Sequence, residues 1–120
     1  MKTIWILTGS ALLLYTSYRT YQLATLDTGL AAKVAAGAVV LDVRTPAEYD
    51  RGHIDGSVHI PLGTLRQRYR ELDTGQTYIT CCSHGLRSVK AVQLLQDRGY
   101  RHVYNGGAWV DLQKIIRSSP

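Results

Sequence analysis

The 120-residue chain predicts one α/β domain built on a largely parallel sheet, preceded by a separate apolar segment. Three observations carry that prediction. Short apolar or β-branched runs alternate along the chain with segments of helical periodicity. One run, Ala38 to Val43, is apolar except for Asp42, as suits a strand covered on both faces. A second run ends in two cysteines within Tyr78 to Ser88, YITCCSHGLRS, where a glycine, an arginine and an apolar helix follow. In parallel sheets the ligand site lies at such carboxyl ends of strands.

The elements follow in order. Residues 1–24 hold an uncharged stretch, Ile4 to Tyr18, between Lys2 and Arg19. Fifteen helical residues reach ~22 Å, short of the ~30 Å hydrocarbon core. The segment therefore fits the apolar core of a signal peptide, or an anchor prolonged towards Leu23. The basic N-terminal flank favours a domain outside the cytoplasm, either periplasmic or tethered to the inner membrane. Residues 25–120 form the domain. Asp27 or Thr28 can cap a short helix whose apolar face is Leu30, Ala31 and Val34, with Gly37 as its stop. After the Ala38 to Val43 strand, Thr45, Pro46 and Glu48 spell a capped helix start. Val58 to Ile60 reads as a short strand. Leu62, Leu65, Tyr69 and Leu72 recur at helical spacing. Thr77 to Cys81 is a strand, Ser88 to Arg98 a helix stopped by Gly99, and YRHVYNGG a last strand and turn. Trp109 to Ile116 is a terminal helix. Gly106 and Gly107 read as turn residues.

Composition narrows the function classes. Fourteen Lys and Arg against nine Asp and Glu leave a formal charge of +5. The densest basic cluster, Arg66, Arg68 and Arg70, has only Tyr69 among it and reads as a solvated helix face, so no nucleic-acid partner is expected. A mildly basic surface suits small anionic substrates. The two cysteines are neighbours, ~3.8 Å apart at Cα, too close for an ordinary disulfide. Cys82 and His84 are too few for a metal site, and no cofactor motif is present.

The loop after the 77–81 strand can turn several backbone N–H groups towards one point above a helix N-terminus. That arrangement receives an anion and favours a thiolate. Arg87 adds a fixed cation. Two registers are open. Counted from Cys82 the stretch is C-x4-R; counted from Cys81 it is C-x5-R-S, the outline of a cysteine phosphatase. Gly85 lies three after Cys82, whereas His84 lies three after Cys81. Neighbouring strand side chains point to opposite faces, which makes Cys81 a small buried hydrophobe when Cys82 faces the loop. Asp42 and Arg44, at a strand's carboxyl end, read as an ion pair supporting that loop, and His53 as a structural histidine. His84 either touches substrate or decorates an exposed loop.

CSHGLRS resembles the C-x-x-G-x-R-S active-site loop of the rhodanese family. LDVRTPAEYDRGHIDGSVHIP and LLQDRGYRHVYNGGAW resemble two further family signatures, so the likeness runs from about Thr28 to Leu112. The resemblance implies a rhodanese-like domain with a five-stranded, mostly parallel sheet and helices on both faces. It also implies sulfurtransferase chemistry of small exported single-domain members. Cys82 would take a sulfane sulfur from thiosulfate or a related donor and pass it to cyanide or a thiol acceptor. Ser83, His84, Gly85, Leu86 and Arg87 would form the substrate-binding loop in a monomer. Ser57 and His59 stand where Ala and Asn are usual in the family, and Leu86 where a polar residue is common. A binding module and a thiol-based redox sensor are the non-enzymatic readings.

Overall fold

The computed structural model describes residues 1–118. In chain order its elements are α1 (Lys2–Thr25), α2 (Leu30–Ala35), β1 (Val39–Asp42), α3 (Pro46–Asp50), β2 (Val58–His59), α4 (Leu62–Arg68), β3 (Tyr78–Cys82), α5 (Leu86–Asp97), β4 (Val103–Ala108) and α6 (Trp109–Ser118). A 3-10 turn, Tyr69–Glu71, extends α4. The sheet order is β2-β1-β3-β4, with every pair parallel. This is the α/β, parallel-sheet architecture that the strand and helix alternation predicts.

Side-chain alternation along the strands gives the sheet two apolar faces. Leu41, Val43, Tyr78 and Cys82 face Leu65, Leu72, Ala91 and Leu95, the inward stripes of α4, the turn after it, and α5. Val40, Ile79 and Cys81 face Leu30 of α2 and Leu112 of α6. Helices therefore cover both faces, and the two central strands, β1 and β3, are buried almost throughout.

Among the described residues four strands form where the resemblance implies five. The chain just after α1 runs beside β4, and Asp27 N–H donates to the Asn105 carbonyl at 3.2 Å. The Asn105 N–H, however, donates to the Asp27 carboxylate at 2.6 Å rather than to backbone. The side chain takes the place of a ladder partner, and no fifth strand propagates. The cap of α2 also differs: Gly29, in the left-handed region at φ 68°, occupies that position, and neither Asp27 nor Thr28 makes a side-chain cap. Helix α5 starts at Leu86 rather than Ser88, which shortens the loop behind Cys82 to three residues.

Helix α1 has no buried residue, and Ile4, Trp5, Leu12 and Leu13 are all exposed. Among the described residues no helix is long and apolar enough to cross a membrane. Thr8, Ser10 and Thr16 interrupt the apolar run and return their hydroxyls to the helix's own carbonyls. The expected membrane-spanning anchor is thus not supported. The boundary expected after residue 24 falls inside α1, whose last turn touches the body of the domain through Thr25.

Gly106 is not a turn residue. It sits within β4, where the register against β3 shifts between Thr80 and Cys82. A Cβ there would meet Ile79 Cγ2 at 2.7 Å, the Thr80 carbonyl oxygen at 2.7 Å and Leu112 Cδ2 at 2.9 Å. Two of those atoms are core side chains and one is backbone, so none can yield cheaply. Gly106→Ala should lower unfolding stability by about 1–3 kcal/mol in urea titration. Gly63→Ala in α4, where a Cβ has nothing within 4 Å, should be neutral or stabilising by up to about 1 kcal/mol. Equal effects for the two would refute the packing account.

Candidate active site

β3 carries two cysteines to its carboxyl end, and their fates diverge because adjacent strand residues face opposite ways. Cys81 enters the α2/α6 face and is fully buried. Burial, with the Asp42 carboxylate adding to it, pushes its thiol far up from the ordinary range. That shift disfavours the thiolate, the nucleophilic form.

Cys82 faces α5. Its Sγ accepts the Gly85 N–H at 3.0 Å and the Ser88 N–H at 3.4 Å. Gly85 makes this possible as the N-cap of α5, at φ 94° in the left-handed region. The sulfur lies above the N-terminus of a twelve-residue helix, where unpaired N–H groups and the helix dipole both hold negative charge. Cys82 is only 1% exposed, so the sulfur sits at the floor of its loop and a slender reactant is favoured.

Arg87 does not point its fork at open space. Its Nη1 and Nη2 donate to the two Glu48 carboxylate oxygens at 2.7 and 2.8 Å. Ser83 Oγ donates to the same carboxylate at 2.6 Å. Glu48 therefore clamps both ends of the loop, and the Arg87 and Ser83 bonds hold its carboxyl well below the usual carboxylate range. Sequence reasoning used Glu48 only as a helix cap. It does complete the capping box with Thr45, but both its oxygens also accept from the loop. No linear pattern could couple residues 39 apart in sequence.

The pair Asp42 and Arg44 forms as expected, with Arg44 Nη2 to Asp42 Oδ2 at 2.7 Å and both residues buried. Arg44 also donates to the Glu48 carbonyl at 3.2 Å and the Gly52 carbonyl at 2.7 Å, and lies over the Trp109 ring at 4.7 Å. It fixes α3, and through α3 the clamp. His53 Nδ1 meets the Tyr49 carbonyl, and both His53 and His59 stack on the Tyr49 ring. Ser57 contacts the Tyr49 hydroxyl. These are structural contacts. His84 is exposed, with its carbonyl held by Gln22 Nε2 at 3.0 Å and its ring at the edge of Tyr18. Leu86 is 54% exposed at the rim. Among the described residues no cluster of three or more His, Cys, Asp or Glu could hold a metal ion.

Fold and site together define an α/β domain organised around one thiol in an anion-receiving loop. The chain belongs to the rhodanese-like family: the family model described as "Rhodanese-like domain" matches residues 26–109. The uncharacterized protein YqhL of Bacillus subtilis is 40% identical over 68 residues, 57% of this chain and 54% of YqhL. The match thus spans about half the length of that relative. Thiosulfate sulfurtransferase PspE of Escherichia coli is 34% identical over 74 residues, 60% of this chain and 71% of PspE. A solved rhodanese-related protein of Thermoplasma volcanium is similar with a TM-score of 0.62 at 31% identity, over 75% of this chain and 91% of that one. Sulfur transfer is the general chemistry that these likenesses support.

The clamp has a pH signature. A carboxyl depressed in the folded protein stabilises above its unfolded value, about 4.3 for Glu, and that contribution fades as pH falls towards the depressed folded value. The loop should therefore stay clamped from neutrality down past pH ~4. Glu48→Gln should speed amide exchange of Ser83 to Arg87 by about threefold to tenfold throughout that range, a modest effect because the pair is partly exposed. Exchange that is unchanged in Glu48→Gln would show that the clamp does not order the loop.

Proposed function

We propose that the protein is a thiosulfate-type sulfurtransferase that carries sulfur as a persulfide on Cys82. The observation that carries this reading is the pair of backbone N–H groups from Gly85 and Ser88 aimed at the Cys82 sulfur. In the first half-reaction the Cys82 thiolate attacks the outer sulfur of thiosulfate. The donor's S–S bond breaks and its electron pair leaves with sulfite, while a new S–S bond forms at Cys82. In the second, cyanide or a thiolate attacks the outer sulfur, and the enzyme's S–S pair returns to Cys82. Thiocyanate or an acceptor persulfide departs, and no external oxidant is needed.

The printed name of the relative PspE supports thiosulfate as donor. The loop N–H groups supply the charge stabilisation that each half-reaction needs where sulfur is anionic. Arg87 acts through loop shape in this reading, since Glu48 holds its fork. The geometry supports this register over the phosphatase one, whose nucleophile would be Cys81, on the α2/α6 face, while the loop N–H groups meet Cys82. The reading also places the domain outside the cytoplasm, on the strength of the uncharged run Ile4 to Tyr18 between two basic residues.

The test is turnover of thiosulfate and cyanide to thiocyanate. Cys82→Ser should abolish it, and Cys81→Ala should keep at least about a third of it, because that change removes only a small buried group. Loss on Cys81→Ala with retention on Cys82→Ser would overturn the assignment.

A further inference from the structure

Asn105 lies in β4, paired in register with Thr80, and is 4% exposed. Its amide is oriented by its partners. Nδ2 donates to the Thr25 carbonyl at 2.7 Å, while Oδ1 accepts the Gly107 N–H at 3.0 Å and the Ser88 hydroxyl at 2.7 Å. A carbonyl partner on one side and donors on the other allow only one orientation. Ser88 Oγ also lies 3.0 Å from the carbonyl of Gly85, the N-cap of α5, so its one proton is shared between two acceptors, the nearer being Asn105 Oδ1. From the far side, Thr80 Oγ1 donates to the Ser88 carbonyl at 3.0 Å. The Ser88 residue is thus pinned by its side chain and by its carbonyl, and its N–H is one of the two aimed at Cys82 Sγ.

Asn105 makes no contact with the sulfur, and a buried amide needs partners whatever its role. What sets it apart is where the partners lie. One hydroxyl separates it from a peptide that faces the nucleophile, and a one-residue shift of that peptide would turn the N–H away. We propose that Asn105 is a positioning residue for sulfur transfer: by holding the Ser88 hydroxyl it fixes the Ser88 N–H under the Cys82 sulfur, and through Thr25 it ties the end of α1 into the same frame. The inference rests on Cys82 being the working thiol.

The prediction concerns how two variants combine. Asn105→Ala should lower kcat for thiosulfate turnover about tenfold, the scale of one hydrogen bond to a charged group, with KM for the donor within about twofold. Ser88→Ala should do the same, although it leaves the contact with Thr25 intact. The double variant should be no slower than the worse single one, because the two act in series. Thermal unfolding of each variant fixes an assay temperature at which all are folded. Should Asn105→Ala not fold, Asn105→Ser shortens the amide to a hydroxyl and serves in its place. Full turnover in Ser88→Ala, or multiplicative losses in the double variant, would overturn the proposal and leave Asn105 as a support for α1 alone. Iodoacetamide alkylation of Cys82, located by peptide fragmentation, separates this from the sulfur-transfer reading. Slower alkylation in both single variants supports the positioning role even if the wild type transfers no sulfur. Unchanged alkylation and turnover, with a wild type that does transfer sulfur, overturns the positioning role only.

Discussion

Everything at the carboxyl end of this sheet serves one interaction, the approach of backbone N–H groups to the Cys82 sulfur. A sulfur that is to carry negative charge while 1% exposed cannot rely on water. It needs donors already in place, since reorganising them during reaction would cost free energy. The N-terminus of α5 provides those donors at no cost to its own hydrogen bonding, because the first N–H groups of a helix have no internal partner. The requirement fixes the rest: a strand that ends at the cysteine, a three-residue loop, and a residue at Gly85 that tolerates φ 94°.

Two polar frames hold that loop from opposite sides. On one side the buried Asp42–Arg44 pair holds α3, and α3 presents Glu48 to Arg87 and Ser83. On the other, Asn105 holds Ser88 and the end of α1. Both frames use charged or amide groups with most of their hydrogen-bonding capacity satisfied. Among the described residues no buried side-chain nitrogen or oxygen lacks a partner. Such networks specify one arrangement of a loop because a partly broken network leaves a buried polar group exposed to its full desolvation cost. The apolar layers beneath, around Leu41 and Ile79, give the sheet its stability but do not themselves choose the loop's shape.

Local patterns in the chain reveal most of the fold. The mostly apolar run at β1, the Thr45–Pro46–Glu48 start of α3, and the glycine stops all correspond to observed elements, since each depends on residues close in sequence. The opposite orientations of the two cysteines were also legible, because strand alternation sends Cys81 and Cys82 to opposite faces. What could not be read depends on distant partners. Arg87 read as a fixed cation of the loop, and its partner Glu48 comes from α3, 39 residues before it. Gly106 looked like a turn because the crowding that demands glycine comes from Ile79 and Leu112. Asn105 gave no signal at all, since its meaning lies in Thr25, 80 residues before it, and in Ser88 of α5, 17 residues before it. The fifth strand implied by resemblance is absent among the described residues, and beside β4 the carboxylate of Asp27, 78 residues earlier, takes the Asn105 N–H.

The most direct test of the account is to locate the transferred sulfur. The protein would be incubated with thiosulfate, freed of excess donor, and mapped by peptide fragmentation in a mass spectrometer. The account predicts one added sulfur on Cys82 and none on Cys81, lost again on addition of cyanide. Sulfur on Cys81, or no adduct on a Cys82 that remains free to react with an alkylating agent, would contradict it.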